Sequence, residues 1–272
     1  VNKFKFKKKI FPIPIILGVK GKKKMNKNFI YLYYQNRKII KIEIESLFKL
    51  NLDKIFKKLI GKKFKLHPLY HYYKKYDYFI SSKPFRLKTK KKVKKKQNLI
   101  CFATRNKPHI AHKKIIKYFS EKYNNIIISI TQKNKIKNYP IIKKSYENFL
   151  KNENLKSKVK IYNFEFPSFS LGPREAMLQS LTRKNVYNGD FIVGRDHSGY
   201  KNFFKENDSF NLCKKYEKQL GFKILYSESP FYCKKCKKIN FRFECLHWQN
   251  KDFFVDISST KLKKINKFLK NG

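Results

Sequence analysis

The fold is decided by the stretch NLICFATRNKPHIAHKKIIKYFSEKYNNIIISIT, residues 98–131. Residues 98–104 form a short apolar run that predicts a buried strand, and residues 125–131 form a second such run. Between them, residues 111–123 have the pattern of a helix, which is expected to start near Pro108–His109. A strand, a helix and a strand in this order are typical of parallel sheets.

The same alternation continues along the chain, with a predicted helix at 139–152, a strand at 158–164, a helix at 173–185 and a strand at 190–194. Strands that alternate with helices of this length predict an α/β fold with a doubly wound, Rossmann-like parallel sheet. Ligands of such sheets bind at the carboxyl ends of the strands. Because TRNKPHIAH (104–112) and GRDHSG (194–199) each follow a predicted strand, we expect them to face one crevice.

The formal net charge of +49 would ordinarily indicate nucleic acid or an anionic membrane as a partner. However, only seven of the 67 basic residues are arginines, and Lys, Ile, Asn, Phe and Tyr all have A/T-rich codons. We therefore interpret the charge as nucleotide bias that places lysine on solvated faces, and we expect no nucleic-acid partner. Four arginines lie in or beside the densest motifs, where a planar fork binds anions better than lysine does: Arg105, Arg174, Arg183 and Arg195.

Short apolar stretches such as FIYLYY (29–34), without a long helical period, predict a small β-rich domain before residue 90. The lysine run at 88–96 predicts an exposed linker. We expect domain boundaries at 1–90, 91–228 and 229–272.

A basic start and a short apolar core make KKKIFPIPIILG (7–18) resemble a secretion signal. Pro12 and Pro14 argue against a helical core there, and no apolar run approaches the roughly 20 residues that a membrane span needs. We expect a cytoplasmic protein without a membrane partner.

His109 and His112 stand three residues apart at the start of a predicted helix, so their imidazoles share one face. That helix end offers N–H groups and a positive dipole to an anion, and Arg105 supplies a fork for a second anion. The alternatives are a metal pair or packed core histidines. A metal would need a third ligand nearby, and the adjacent sequence has none, so phosphate binding is favoured.

Three further segments carry candidate binding groups. In LGPREAMLQSLTRKN (171–185), Pro173 marks a helix start. In GRDHSG, glycines allow a close backbone approach to a ligand, and Arg195 and His197 supply charge to a phosphate. In ISSTKLK (257–263), the hydroxyls can cap a helix or bind phosphate.

Three of the five cysteines are clustered, which favours metal ligands in a reducing compartment over disulfides. The ligand types, and the two-residue gap between the first two cysteines, indicate a structural zinc knuckle. The fourth ligand is the weaker assignment, because only one residue separates it from the third. The candidate ligands are Cys233, Cys236, Cys245 and His247.

These motifs, in this order, resemble those of the ATP sulfurylase (sulfate adenylyltransferase) family. The family's QTRNPxHxxH, GPREA, RxN, GRDHAG and ISGTxxR motifs correspond to ATRNKPHIAH, GPREA, RKN, GRDHSG and ISSTKLK here. FPIPIIL (11–17) is similar to the WPIPITL of its PUA-like N-terminal domain, and FYCKKC with Cys245 and His247 is similar to a segment that binds zinc in some bacterial members. The resemblance implies a lysine-rich, bacterial-type member with a shortened PUA-like domain.

The resemblance also implies a reaction, ATP + sulfate = adenylyl sulfate + diphosphate, with Mg²⁺ accompanying the ATP and a structural Zn²⁺ in the cysteine cluster. It further implies that Arg105 and Ser198 bind sulfate, that residues 104–106 with His109 and His112 are catalytic, and that we should expect a homo-oligomer. The ATP-binding positions that it implies are Thr104, Arg105, Asn106, His109, His112, Gly194, Arg195, Asp196 and His197.

The chain departs from the family pattern at Ala103, where the family has a substrate-contacting glutamine, and at Lys263, where it has arginine. Two other functions therefore stay open at this point. One is a related nucleotidyltransferase with a different acceptor, and the other is a catalytically inactive, basic RNA-binding relative.

Overall fold

The computed structural model describes residues 5–6, 9–13, 16–21, 28–34, 36–82, 98–132, 139–195, 197–200 and 203–257. The predicted linker at 88–96, Asp196 and most of the ISSTKLK motif lie outside these residues. The chain divides into two compact units. The first comprises 1–92, 169–171 and 199–204, and the second comprises 93–168, 172–198 and 205–272.

The first unit contains β1 (Lys5–Phe6), β2 (Lys9–Ile10), β3 (Leu17–Val19), β4 (Phe29–Tyr34), β5 (Arg37–Phe48), α1 (Leu52–Ile60), α2 (Pro68–Lys74) and β6 (Tyr78–Ser82), with a 3₁₀ turn at Phe64–Leu66. The second contains β7 (Leu99–Thr104), α3 (Ile110–Lys122), β8 (Asn125–Gln132), α4 (Tyr139–Asn152), β9 (Val159–Glu165), α5 (Pro173–Tyr187), β10 (Asp190–Gly194), α6 (Asp208–Lys215), α7 (Glu217–Leu220), β11 (Ile224–Ser227), β12 (Phe231–Cys233), β13 (Lys238–Asn240) and β14 (Phe254–Asp256), with 3₁₀ turns at Arg242–Glu244 and Leu246–Gln249.

The first unit is built on a mixed-length antiparallel sheet in the order β3-β6-β5-β4. The predicted β-rich domain also contains two short helices that the sequence patterns did not indicate, because α1 and α2 follow β5. Helix α1 begins where the Asn51 side chain accepts from the backbone N–H of Lys54 at 2.9 Å, and it buries Phe56 and Ile60. With nine residues it is too short to give a long periodic signal.

His67 fixes the start of α2. Its Nδ1 accepts from the backbone N–H of Leu69 at 3.2 Å, and its Nε2–H donates to the carbonyl of Ser170 at 2.9 Å. The imidazole is fully buried, and burial lowers the pKa of His67. It is therefore a structural, neutral histidine of the first unit.

The sheet of the second unit is parallel throughout, in the order β11-β10-β7-β8-β9. All of the strands and helices predicted between 98 and 194 are confirmed to within about two residues. After β9 the chain crosses back to the other side of β7, so the strand order reverses between β7 and β10. The carboxyl ends of strands at such a switch point form the binding crevice of doubly wound sheets.

Helices cover both faces of this sheet. Ile100, Ile128 and Ile192 on one face pack with residues of α3 and α4 in the main core. On the opposite face α5 lies against Ser129 of β8 and Phe191 of β10, which contact its Arg183 side chain. This arrangement is the predicted doubly wound α/β fold.

The last part of the second unit forms a small antiparallel sheet in the order β13-β12-β14. It is joined to α3 by an ion pair between Lys114 Nζ and Glu244 Oε2 at 2.8 Å and by ring packing of Tyr118 against Phe241 at 5.1 Å. Across the helices that the structure describes, none combines the length and the apolar character needed to cross a bilayer.

Candidate functional site

The end of β7 places three polar side chains at the switch point. Thr104 is buried, whereas Arg105 and Asn106 are exposed. The backbone N–H of Asn106 donates to Thr104 Oγ1 at 3.2 Å, which turns the chain directly after the strand. Arg105 Nη1 lies 3.5 Å from Ser168 Oγ and leaves most of its fork to solvent.

The two histidines lie together at the start of α3. His109 is the residue before the first helical turn, and its ring centroid is 3.9 Å from that of His112. Among the described residues, nothing pairs with the buried Nδ1 of His109. Burial lowers the pKa of His109, and burial together with the neighbouring His109 lowers the pKa of His112 to about 3. Both rings are thus neutral near pH 7, and an anion beside them would favour protonation.

Tyr146 of α4 contacts the imidazole of His112. Its hydroxyl lies 3.4 Å from His112 Nδ1, and the residue is fully buried. Burial raises the pKa of Tyr146, and a hydrogen bond with Thr104 acts in the opposite direction. Tyr146 therefore links the threonine at the end of β7 to the second histidine and restrains the orientation of that ring.

We expect Tyr146→Phe to lower the turnover number of the adenylyl transfer that the sequence resemblance implies, about three- to tenfold, while the affinity for nucleotide changes little. The reason is that loss of one hydrogen bond, worth about 1 kcal/mol, frees the His112 ring without removing it. Steady-state kinetics with nucleotide binding measured separately would check this. Tyr73→Phe, in the first unit, is the matched control, and an unchanged turnover number in Tyr146→Phe would contradict the positioning role.

The end of β10 supplies the second loop of the site. A Cβ added to Gly194 would meet no atom within 4 Å, so this glycine leaves open space beside the strand end. Arg195 Nε lies 3.8 Å from Glu206 Oε1, and the backbone of Ser198 has a positive φ of 61°. Burial, with the charges of Arg183 and Arg105, lowers the pKa of His197 to about 3.

Gln179 of α5, which the sequence analysis did not single out, organises this loop. It is buried, its Oε1 accepts from His197 Nε2 at 3.1 Å, and its Nε2 donates to Ser198 Oγ at 2.9 Å and to Glu175 Oε1 at 3.1 Å. The backbone N–H of Gly172 donates to the Ser198 carbonyl at 3.0 Å. The GPREA helix thus holds the GRDHSG loop in place.

Two adjoining cavities lie at the carboxyl ends of β7 and β10. The larger, of about 270 Å³, contacts Asn106, both histidines of α3, Gly194 and Arg195, and the segment 227–230 after β11. The smaller, of about 160 Å³, is lined by Thr104, Arg105, Thr131, Gln179 and Ser198. Both cavities share four lining residues, namely Ala103, Asn106, His112 and His197.

The structure therefore brings the predicted positions of the TRNKPHIAH and GRDHSG motifs to one crevice, except Asp196, which it does not describe. The segment 227–230 was missed, although it follows a strand end as the other two motifs do. Arg174 and Arg183 were noted in sequence, but neither lines these cavities.

The neutral histidines make the fold sensitive to acid. We expect the free energy of unfolding to fall between pH 6.5 and pH 5, by about 2 kcal/mol for each of His112 and His197. The free energy of unfolding falls with pH because both histidines have a lower pKa in the folded chain than in the unfolded chain. Their contribution to stability is therefore present above pH 6.5 and is lost as the pH falls.

Urea unfolding at pH 8, 6.5 and 5, in a buffer free of sulfate and phosphate, would measure this loss. His197→Gln should show a smaller pH dependence than the unmodified chain. A stability that stays constant over this range would contradict the depressed pKa values.

The cysteine cluster has the dimensions of a tetrahedral zinc site. Cys236 Sγ lies 3.7 Å from Cys245 Sγ, and His247 Nδ1 lies 3.9, 3.3 and 3.8 Å from the sulfurs of Cys233, Cys236 and Cys245. Zn–S bonds of about 2.3 Å and Zn–N bonds of about 2.0 Å give tetrahedral edges of about 3.5–3.8 Å. The backbone N–H of Cys236 also points to Cys233 Sγ at 3.4 Å. The donor set fits Zn²⁺, with Nδ1 as the histidine ligand atom.

Comparison with known proteins identifies the same family that the motifs resemble. A family model described as ATP-sulfurylase matches residues 80–272. The chain is 25% identical to the sulfate adenylyltransferase of Thermococcus onnurineus and 25% identical to that of Pyrococcus abyssi, with 93% and 92% of this chain aligned to 72% and 71% of the relatives. It is 31% identical to the enzyme of Halothermothrix orenii over 70% of this chain and 51% of the relative.

Among solved structures, the chain resembles one titled "Hexameric APS kinase from Thiobacillus denitrificans", with a TM-score of 0.57 and 10% sequence identity. That similarity covers 94% of this chain and 48% of the other. At this identity it supports the fold alone.

Proposed function

The chain belongs to the ATP-sulfurylase family, and from this premise we propose that it is a sulfate adenylyltransferase. In this reaction a sulfate oxygen attacks the α-phosphorus of ATP, and the bond from that phosphorus to the β-phosphate oxygen breaks. The products are adenylyl sulfate and diphosphate.

The observation that carries this proposal is the pair of adjoining cavities, which share four lining residues. We assign the larger cavity, beside His109 and Arg195, to the phosphates of ATP. We assign the smaller one, beside Arg105 and Ser198, to sulfate. Two anions in such adjoining cavities would meet at Asn106 and His112, where the new bond would form.

The chemistry asked of these residues is positioning and electrostatic stabilisation, because no covalent protein intermediate is required. Arg105 would seat the sulfate, and Thr104 and Asn106 would orient the α-phosphate. His109 and His112 would bind the oxygens of the departing diphosphate. As the leaving group gains negative charge, hydrogen bonds from the imidazoles to it become stronger.

The family implies Mg²⁺ as a companion of ATP. Among the described residues that line the two cavities, Glu228 is the only one with a carboxylate. The oxygens of Glu228 already contact the side chain and the backbone N–H of Arg242. With so few protein ligands, the bound cation would be held mainly by phosphate oxygens and water molecules. Mg²⁺ is commonly bound in this way. When bound, the ion would neutralise charge on the diphosphate.

We assign a structural Zn²⁺ to Cys233, Cys236, Cys245 and His247, since their spacing fits tetrahedral coordination. We further propose that the first unit is a reduced PUA-like domain, because FPIPIIL and the His67–Pro68 pair resemble that domain. The predicted cytoplasmic location, the homo-oligomer and the absence of membrane and nucleic-acid partners remain part of the proposal.

The test is exchange of labelled diphosphate into ATP, measured with and without sulfate. Sulfate adenylyltransferase activity predicts exchange that requires sulfate or adenylyl sulfate. Exchange independent of sulfate would favour a nucleotidyltransferase with another acceptor. No exchange, together with tight and salt-sensitive binding of RNA, would favour the inactive RNA-binding relative.

A further inference from the structure

Arg183 of α5 is a buried cation without an acidic partner among the described residues. It is 1% exposed. Its Nε donates to Ser129 Oγ at 2.9 Å, Nη2 donates to Thr131 Oγ1 at 2.6 Å and Nη1 donates to the Gln179 carbonyl at 3.3 Å. All three partners are neutral. Buried charges in proteins are ordinarily paired, so this guanidinium needs an explanation.

Among the residues that the structure describes, the neighbours of Arg183 supply no compensating negative charge. Burial raises the pKa of Cys101 and that of Tyr187 to about 12, so both neighbours stay protonated. Phenylalanine rings complete the environment, with Phe164 4.2 Å from the guanidinium carbon. The buried acid of the same helix, Glu175, is two helical turns away, about 12 Å along the axis. Arginine keeps its charge in such surroundings.

Two of the groups that Arg183 holds also line the smaller cavity. Thr131 and Gln179 contact the guanidinium on one side and form the wall of that cavity on the other. Gln179 in turn fixes His197 and Ser198 by hydrogen bonds. The unpaired charge is therefore one layer of side chains behind the cavity that also contains Arg105.

We infer that Arg183 is a positioning residue that provides the buried countercharge of the oxyanion cavity and aligns its wall through Thr131 and Gln179. This inference rests on the assignment of the smaller cavity to sulfate. The divalent anion would supply the negative charge that is missing among the described neighbours of Arg183, and the low polarity around Arg183 limits the screening of the attraction. Arg105 would contact the anion directly, while Arg183 would stabilise its negative charge from the layer of side chains behind the cavity wall.

The experiment is calorimetric titration of sulfate into the full chain, with and without a non-hydrolysable ATP analogue. We expect Arg183→Gln to weaken sulfate binding about tenfold or more, and Arg183→Lys, which keeps a positive charge, to recover much of that loss. Arg37→Gln, which removes an exposed arginine of β5, should bind sulfate as the unmodified chain does. In kinetics, the KM for sulfate should rise in Arg183→Gln while the KM for ATP stays within about twofold.

Thermal unfolding of each variant separates this role from a purely structural one. If Arg183→Gln does not fold, Arg183→Lys is compared with Thr131→Val, which removes one hydrogen bond and keeps the charge. Unchanged sulfate affinity in a folded Arg183→Gln, or equal losses in the Gln and Lys variants, would overturn the inference. Sulfate binding that depends on Arg183 without diphosphate exchange would instead overturn the proposed function alone. An unmodified chain that binds no sulfate overturns both.

Discussion

Replacing His109 with alanine is expected to lower the turnover number by about 10²–10³, with less than about a threefold change in the affinity for ATP. The reason is that the imidazole lies at the N-terminal end of α3, with a buried Nδ1 that no described group pairs with. Its hydrogen bond to the leaving diphosphate would strengthen only as charge develops there. Pre-steady-state measurement of adenylyl sulfate formation, with a separate measurement of nucleotide binding, would check this.

The matched control is His71→Ala, which removes an exposed histidine of α2 in the first unit. It should leave both quantities unchanged. An equal loss of ATP affinity and of turnover in His109→Ala would count against a role in the transition state, because that pattern describes uniform binding.

Replacing Cys236 with serine is expected to abolish the proposed binding of Zn²⁺ and to cost several kcal/mol of stability in the C-terminal part of the second unit. Binding of structural Zn²⁺ contributes directly to the folding free energy of small domains, by about 10–16 kcal/mol in isolated zinc-finger peptides. The effect should reach α3, because Glu244 pairs with Lys114 and Phe241 packs on Tyr118.

Elemental analysis for zinc and hydrogen exchange across residues 110–122 would measure these two consequences. Cys213→Ala is the control, since it removes a fully buried thiol of α6 that lies outside the cluster. A chelator-washed, unmodified chain that is folded and contains no zinc would reduce the cluster to a coincidence of spacing.

The sequence was sufficient for the parallel sheet because its central strands, β10, β7 and β8, are short, apolar and buried on both faces. Residues 126–131 of β8, for example, are all buried. The crevice could be predicted because both motifs follow strands that meet at one edge of the sheet. Helices α1 and α2 were missed because each spans fewer than ten residues, so local caps rather than a long period define them.

The residues that position the site's side chains could not be predicted from the sequence, for a different reason. Tyr146 and Gln179 act through contacts with residues 34 and 18 or 19 positions away in the chain, and neither has a local pattern that marks it. In the cysteine cluster, the tight spacing of Cys245 and His247 made the histidine a weak candidate. The 3₁₀ turn at Leu246–Gln249 brings its Nδ1 to the three sulfurs.

The uncharged state of the paired imidazoles has a consequence for ligand-linked proton uptake. Since burial and the neighbouring His109 lower the pKa of His112 to about 3, a bound polyanion that stabilises the imidazolium would raise this pKa and favour the uptake of a proton from the buffer. We therefore expect acidification to lower the stability of the unliganded chain but to strengthen its binding of the anion. Bound anion should reduce the loss of stability in acid, and the heat of association should depend on the ionisation enthalpy of the buffer.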